Sequence, residues 1–241
     1  MHDPHIAKAF DRDLEAIQAL VMKMGGLVEE SIRESAKSLK TRDTERAERV
    51  RQGDKKIDEL EDMINTQCAQ LLAMRQPAAG DLRTVLTVMK IAGNLERIGD
   101  YAKNIAKRTE VLSHMQPIEG ASNAIRRMSK EVEAMLSDAL DSYIRRDATV
   151  GEDVRQRDLE VDQMYNALFR EFLTFMMEDP RNITACMHLH FIAKNIERMG
   201  DHVTSIADQV IYLSTGVMPE DQRPKDNQSI YQVEGFEEAD E

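Results

Sequence analysis

The chain has 241 residues, a formal charge of −12, 41% apolar residues, 5% aromatics and no tryptophan. That apolar fraction is enough for a core and excludes wholesale disorder, while the acidic balance excludes a generic nucleic-acid binder, whose target demands a basic surface. Half of the charge is local, because residues 217–241 hold eight acidic and two basic side chains, a net −6, and residues 1–216 hold the other −6.

Ala, Leu, Met, Glu, Arg and Lys dominate, strand formers never cluster, and Gly and Pro sit between long periodic runs, so the fold class is all-α. The first predicted helix runs from about Asp11 to Lys40, with Phe10, Leu14, Ile17, Val21, Met24, Val28, Ile32 and Leu39 recurring at helical spacings. Thr41-Arg42-Asp43-Thr44 breaks the pattern. A second helix follows from about Thr44 to Met74, closed by Pro77, and a third from about Gly80 to Met115, closed before Pro117. The fourth spans roughly Ser122 to Arg145, the fifth Thr149 to Glu178 and the sixth Pro180 to Leu213. Ser122 and Thr149 are the expected N-caps, Pro180 fits a first turn, and Gly216 is a natural stop. Long helices joined by short loops pack as antiparallel neighbours in a bundle.

The two halves repeat. Asn94-Leu95-Glu96-Arg97-Ile98-Gly99-Asp100 returns as Asn195-Ile196-Glu197-Arg198-Met199-Gly200-Asp201, and Val50, Asp54 and Asp58 return as Val154, Asp158 and Asp162. Two copies in the same order imply two similar bundles, with expected boundaries at 1–116 and 117–216 and an acidic, disordered tail over 217–241. Cys68 and Cys186 each lie in an apolar helical pattern and read as free buried thiols of a reducing compartment. The N-terminus lacks a signal-peptide pattern, and no apolar stretch approaches the roughly 20 residues that span a bilayer, so a cytoplasmic location is expected.

The repeated block carries the chemistry. Leu95, Ile98, Ala102 and Ile105 share one stripe of the third helix, while Glu96, Asp100 and Asn104 fall on the opposite side, which predicts an outward acidic face. Ile196, Met199, Val203 and Ile206 form the same stripe on the sixth helix, with Glu197, Asp201, Asp208 and His190 across from it. The Asp54/Asp58 and Asp158/Asp162 pairs fall at the edges of their stripes, where they can turn toward a neighbouring helix. Acids one turn apart repel by a few tenths of a kcal/mol, and four such pairs call for a cation. Nearby Lys90, Arg97, Lys103, Lys194 and Arg198 could supply it, or a divalent metal such as Mg²⁺, Mn²⁺ or iron could be held by carboxylates of two helices, with nitrogen from His190 or His202. Spacing alone does not separate these readings from a solvated face. Gly99 and Gly200 predict close helix approach. No phosphate-binding glycine loop, no Glu-x-x-His and no nucleophile motif occurs, which argues against an enzyme.

With its doubled block, the opening Met24-Gly25-Gly26-Leu27-Val28-Glu29-Glu30 and the segment Asp54-Lys55-Lys56-Ile57-Asp58-Glu59-Leu60, the chain resembles the PhoU family of phosphate-uptake regulators from about His5 to Gly216. The resemblance implies two pseudo-symmetric three-helix bundles and a negative regulator of phosphate import. Such a regulator acts between the ATPase subunit of the phosphate ABC transporter and the sensor histidine kinase of the phosphate regulon. It also implies iron, zinc, manganese or magnesium held through paired E/DxxxD motifs, here Asp54, Asp58, Glu96, Asp100, Asp158, Asp162, Glu197 and Asp201. Asn104 against Ser205, and Lys107 against Asp208, depart from symmetry. Spare apolar residues on long amphipathic helices leave room for a homodimer. A metal store or metal enzyme, and a purely structural adaptor, are the competing readings.

Overall fold

The computed structural model describes residues 4–75 and 79–220, with side chains described for 10–74 and 80–220. The described residues form six long helices: α1 (Pro4–Thr41), α2 (Thr44–Arg75), α3 (Ala79–Ser113), α4 (Ala121–Arg145), α5 (Ala148–Glu178) and α6 (Ile183–Thr215), with a 3₁₀ turn over Pro180–Asn182 before the last. Pro77 and residues 221–241 of the expected tail lie outside the described residues.

The two halves are built alike, down to their first turns. Arg42 and Arg146 close α1 and α4 in the left-handed region at φ 55° and 53°. Asp43 then accepts from the Arg46 amide at 2.8 Å, and Asp147 accepts from those of Thr149 and Val150 at 2.9 and 3.4 Å. Asp147, not Thr149, is therefore the N-cap of α5. Its carboxylate reaches two otherwise unpaired amides at once. The expected cap Ser122 is likewise displaced: α4 starts at Ala121, and Gly120 with φ 76° turns the chain into it. Arg42 also ties the end of α1 to the end of α3, its guanidinium donating to the carbonyls of Leu112 and Met115. Gly216, at φ 80°, ends α6 as expected.

Within the halves, α1–α2–α3 and α4–α5–α6 each pack as three-helix bundles, and the bundles meet through α3 against α6 and α1 against α4. One continuous apolar core runs through both, from Phe10 to Leu213. Cys68 and Cys186 are free and buried in it. Helices α3 and α6 run antiparallel: Asn94 Oδ1 lies 2.8 Å from His202 Nδ1 at one level, and Arg108 Nη1 lies 3.2 Å from His188 Nδ1 at the other. The outer helices α2 and α5 pack almost wholly within their own halves.

At the α1–α4 crossing, Gly25 is buried, and a β-carbon there would stand 2.4 Å from Leu140 Cδ1, whereas one at the exposed neighbour Gly26 would meet nothing within 4 Å. Gly26→Ala should therefore gain about 0.5–1 kcal/mol from helix propensity alone. Gly25→Ala should lose that gain and fall about 1 kcal/mol or more below it through overpacking. Urea unfolding of the two variants checks the difference, and equal midpoints would deny the close crossing.

Candidate functional site

The first acidic seam lies between α2 and α3. Gly99 makes it possible: a β-carbon there would sit 3.0 Å from Ile57 Cδ1 and 3.6 Å from Asp54 Oδ1, so α2 rides close to α3 at this level. Asp54, one turn before Asp58 on the same helix, is only 2% exposed. The Lys103 ammonium forms an ion pair with it and also donates to Asp100 Oδ1 at 3.2 Å. Those carboxylates push the lysine up to about 12. Burial, then the neighbouring Asp54, raises Asp58. Glu96 is pushed up to about 7, first by burial and then by the Asp100 carboxylate, with Glu61 adding to it and Arg97 opposing it.

The second seam lies between α5 and α6 and repeats the backbone design. A β-carbon on Gly200 would stand 2.8 Å from Asp158 Oδ1, and Asp158 is 6% exposed. Asp162, Glu197 and Asp201 are half-buried. Here the lysine comes from the other direction, Lys194 donating to Glu197 Oε1 at 2.7 Å and lying 5.1 Å from the centre of the Tyr165 ring on α5. Glu197 Oε2 is buried without a hydrogen-bond partner. Burial, followed by Glu197, raises the Tyr165 phenol.

The structure thus brings the sequence-predicted acids together in pairs of helices but corrects how they face. Glu96 and Asp100 do not form an outward surface; they are half-buried at the α2 seam. The physical reason is that α3 has three helical neighbours, α1, α2 and α6, so its buried arc is wider than a single stripe suggests. The histidines fall elsewhere. His190 lies among the rings of Tyr165, Phe169 and Phe191 at 5.9, 5.3 and 5.8 Å, and burial, then Lys194, lowers its pKa and keeps it neutral. His202 is turned toward Asn94 of α3. Among the described residues no three His, Cys, Asp or Glu side chains converge in a metal-holding arrangement. The cation that the structure does hold against Asp54 is Lys103. Its only sequence signal is the i, i+3 spacing from Asp100, on the flank of α3 that Gly99 opens.

A doubled all-helical bundle with a paired-acid seam in each half defines a class of duplicated helical-bundle proteins, and comparisons say which. The PhoU domain family model matches residues 21–109 and again 125–210. The chain is 40% identical over 227 residues to the phosphate-specific transport system accessory protein PhoU homolog of Rhizobium meliloti, covering 94% of this chain and 96% of that protein. It is 43% identical over 221 residues to the homolog so named in Caulobacter vibrioides, covering 92% and 96%. The crystal structure of PhoU from Pseudomonas aeruginosa superposes with a TM-score of 0.83 at 37% identity, covering 86% of this chain and all of that one. The phosphate transport system regulatory protein PhoU from Streptococcus pneumoniae superposes at 0.81 with 30% identity, covering 88% and 99%. The chain belongs to the PhoU family.

Glu96 supplies a pH signature. Its folded pKa of about 7 lies above the ordinary 4.5, so the folded state holds the proton more tightly, and the stability this adds is complete below about pH 4.5 and lost as pH rises through about 7. Glu96→Gln keeps the shape without the charge. Its melting temperature should therefore rise relative to wild type between about pH 5 and pH 8. An equal difference at both pH values would remove the strained carboxylate.

Proposed function

We propose that the chain is a negative regulator of phosphate uptake, an adaptor between the ATPase subunit of a phosphate ABC transporter and the sensor histidine kinase of the phosphate regulon. In this reading it works in the cytoplasm, without catalysis, restraining both partners when phosphate is ample. The observation that carries it is the family match in each half, together with relatives named as accessory proteins of the phosphate-specific transport system. No helix among the described residues is long and apolar enough to cross a membrane, so contact with a transporter would be made from its surface.

Such contact needs exposed apolar area, and the repeat supplies it twice. Met74, Leu82 and Leu86 lie exposed on either side of the α2–α3 connection, and Met177, Ile183 and Met187 at the corresponding positions of α5 and α6. Met74 and Met177 are 68% and 78% exposed. Apolar residues repeated in this way at matching places favour a docking role over scatter, and two of them suit either two partners or a homodimer. Regulation is then a coupling free energy between partners, typically about 1–3 kcal/mol. A divalent cation, whether iron, zinc, manganese or magnesium, enters this reading as an effector. Carboxylates of Asp158, Asp162, Glu197 and Asp201 would give it hard oxygen ligands, and those of Asp54, Asp58, Glu96 and Asp100 would do so only with the Lys103 ammonium displaced.

Capture of the transporter ATPase and the kinase by the tagged chain, at high and low phosphate, tests the adaptor. Leu86→Glu and Met187→Glu should each cut capture at least about tenfold, equivalent to about 1.4 kcal/mol, while the melting temperature stays near wild type because both side chains are exposed. Deletion of the gene should switch the phosphate regulon on in rich phosphate; a regulon that stays silent there ends the reading.

A further inference from the structure

The two seams share a backbone but not a cation. In the first, Lys103 on α3 reaches the buried Asp54 of α2 and also holds Asp100, so one ammonium joins both helices. At the place of Lys103 in the second half stands Thr204, fully buried, its hydroxyl donating to the Gly200 carbonyl at 2.8 Å. Conversely, the place of Lys194 is taken in the first half by Gly93, where a β-carbon would stand 3.7 Å from Glu61 Oε1. Lys194 pairs with Glu197 three residues along its own helix, and each seam keeps one buried carboxylate oxygen without a hydrogen-bond partner, Asp54 Oδ1 in the first and Glu197 Oε2 in the second.

We propose that Lys103 is the resident cation of the first seam: a tethered ammonium fills the space between Asp54 and Asp100, so the seam takes no divalent ion while that lysine is in place. The carboxylates as arranged do not fit a metal, because the position between the α2 and α3 acids is already held by a positive charge, and a second one would be repelled. What a bound ion would do there, neutralising a buried acid and fastening α2 to α3, Lys103 does permanently. In the second seam a threonine stands at that position and the lysine, Lys194, holds Glu197 instead, so the two halves place their ammonium on different acids. This inference stands on the seam geometry and is independent of the phosphate role.

Mn²⁺ binding to the full chain, followed by the loss of the free-ion paramagnetic signal, tests it. In the otherwise unchanged chain, Asp54→Asn and Asp100→Asn should leave the Mn²⁺ isotherm as in wild type. Lys103→Met should add Mn²⁺ binding that wild type lacks, and Lys103→Met/Asp54→Asn should abolish the addition. Lys103→Met should also melt below wild type in chelator and recover in Mn²⁺, whereas Lys103→Arg should gain no site. An isotherm weakened more than about fivefold by Asp54→Asn alone, equivalent to about 1 kcal/mol, would overturn the proposal. So would a Lys103→Met isotherm that superposes on wild type. The Asp54→Asn arm stays decisive even if Lys103→Met fails to fold.

Discussion

The antiparallel contact between α3 and α6 is the constraint on which the rest of the molecule depends. Each of these helices must bury one side against the other while also carrying the two remaining helices of its own half. Leu95, Ile98 and Ala102 on α3, with Ile196, Met199 and Val203 on α6, are accordingly fully buried. Where the contact needs polar groups, they pair across it, Asn94 with His202, and Arg108 with His188 and over the Phe191 ring at 4.4 Å. A helix buried on three sides has little room left for charge. Its acids are pressed to the edge of that arc, where the outer helix of the same half arrives, and this is why the repeated motif ends up in a seam.

The seam is consequently part of the packing. A carboxylate at the depth of Asp54 is tolerable only when paired, and removing its partner would leave an uncompensated charge, a loss of about 3–5 kcal/mol in comparable buried pairs. Lys103 meets that need, and Glu96, raised toward neutrality, relieves the repulsion from Asp100. The strength with which α2 sits on α3 therefore follows the charge state of the seam, while the apolar core under it does not. Because α2 and α5 pack almost wholly within their own halves, they are the elements that an ion, a proton or a partner can loosen without opening the α3–α6 junction.

Much of this architecture is legible in the order of the amino acids alone. Helical spacing from Phe10 to Leu213 marks six helices because an apolar core imposes its period on each of them. The repeated block marks the duplication, and Gly99 and Gly200, standing at the same place in both copies, announce close approach. The N-caps at Gly120 and Asp147 are not legible in that way, since a cap depends on the path of the chain as much as on residue type, and Ser122 and Thr149 each stand two positions away with suitable side chains. The direction of Glu96 and Asp100 is hidden for a deeper reason: periodicity reports that a face is polar, but not how many neighbours the helix has. The pairing of Lys103 with Asp54 depends on the register between two helices, which no single-helix pattern contains.

That register is also where the halves have diverged. Core positions, turns and the seam glycines Gly99 and Gly200 still correspond, Arg42 with Arg146 and Asp43 with Asp147 even in their capping geometry. The lysines do not. A duplicated bundle with identical seams would answer any ligand with both halves alike, and its pseudo-twofold axis would make its two ends interchangeable to a partner. Moving one ammonium from the flank before the motif to the flank after it leaves the core intact and breaks that equivalence. The cheapest difference between two copies of a helical module is a charge at a seam, and in this chain it separates a half whose lysine sits on the buried aspartate of the outer helix from one whose lysine holds the glutamate of its own helix and meets the outer helix at the Tyr165 ring.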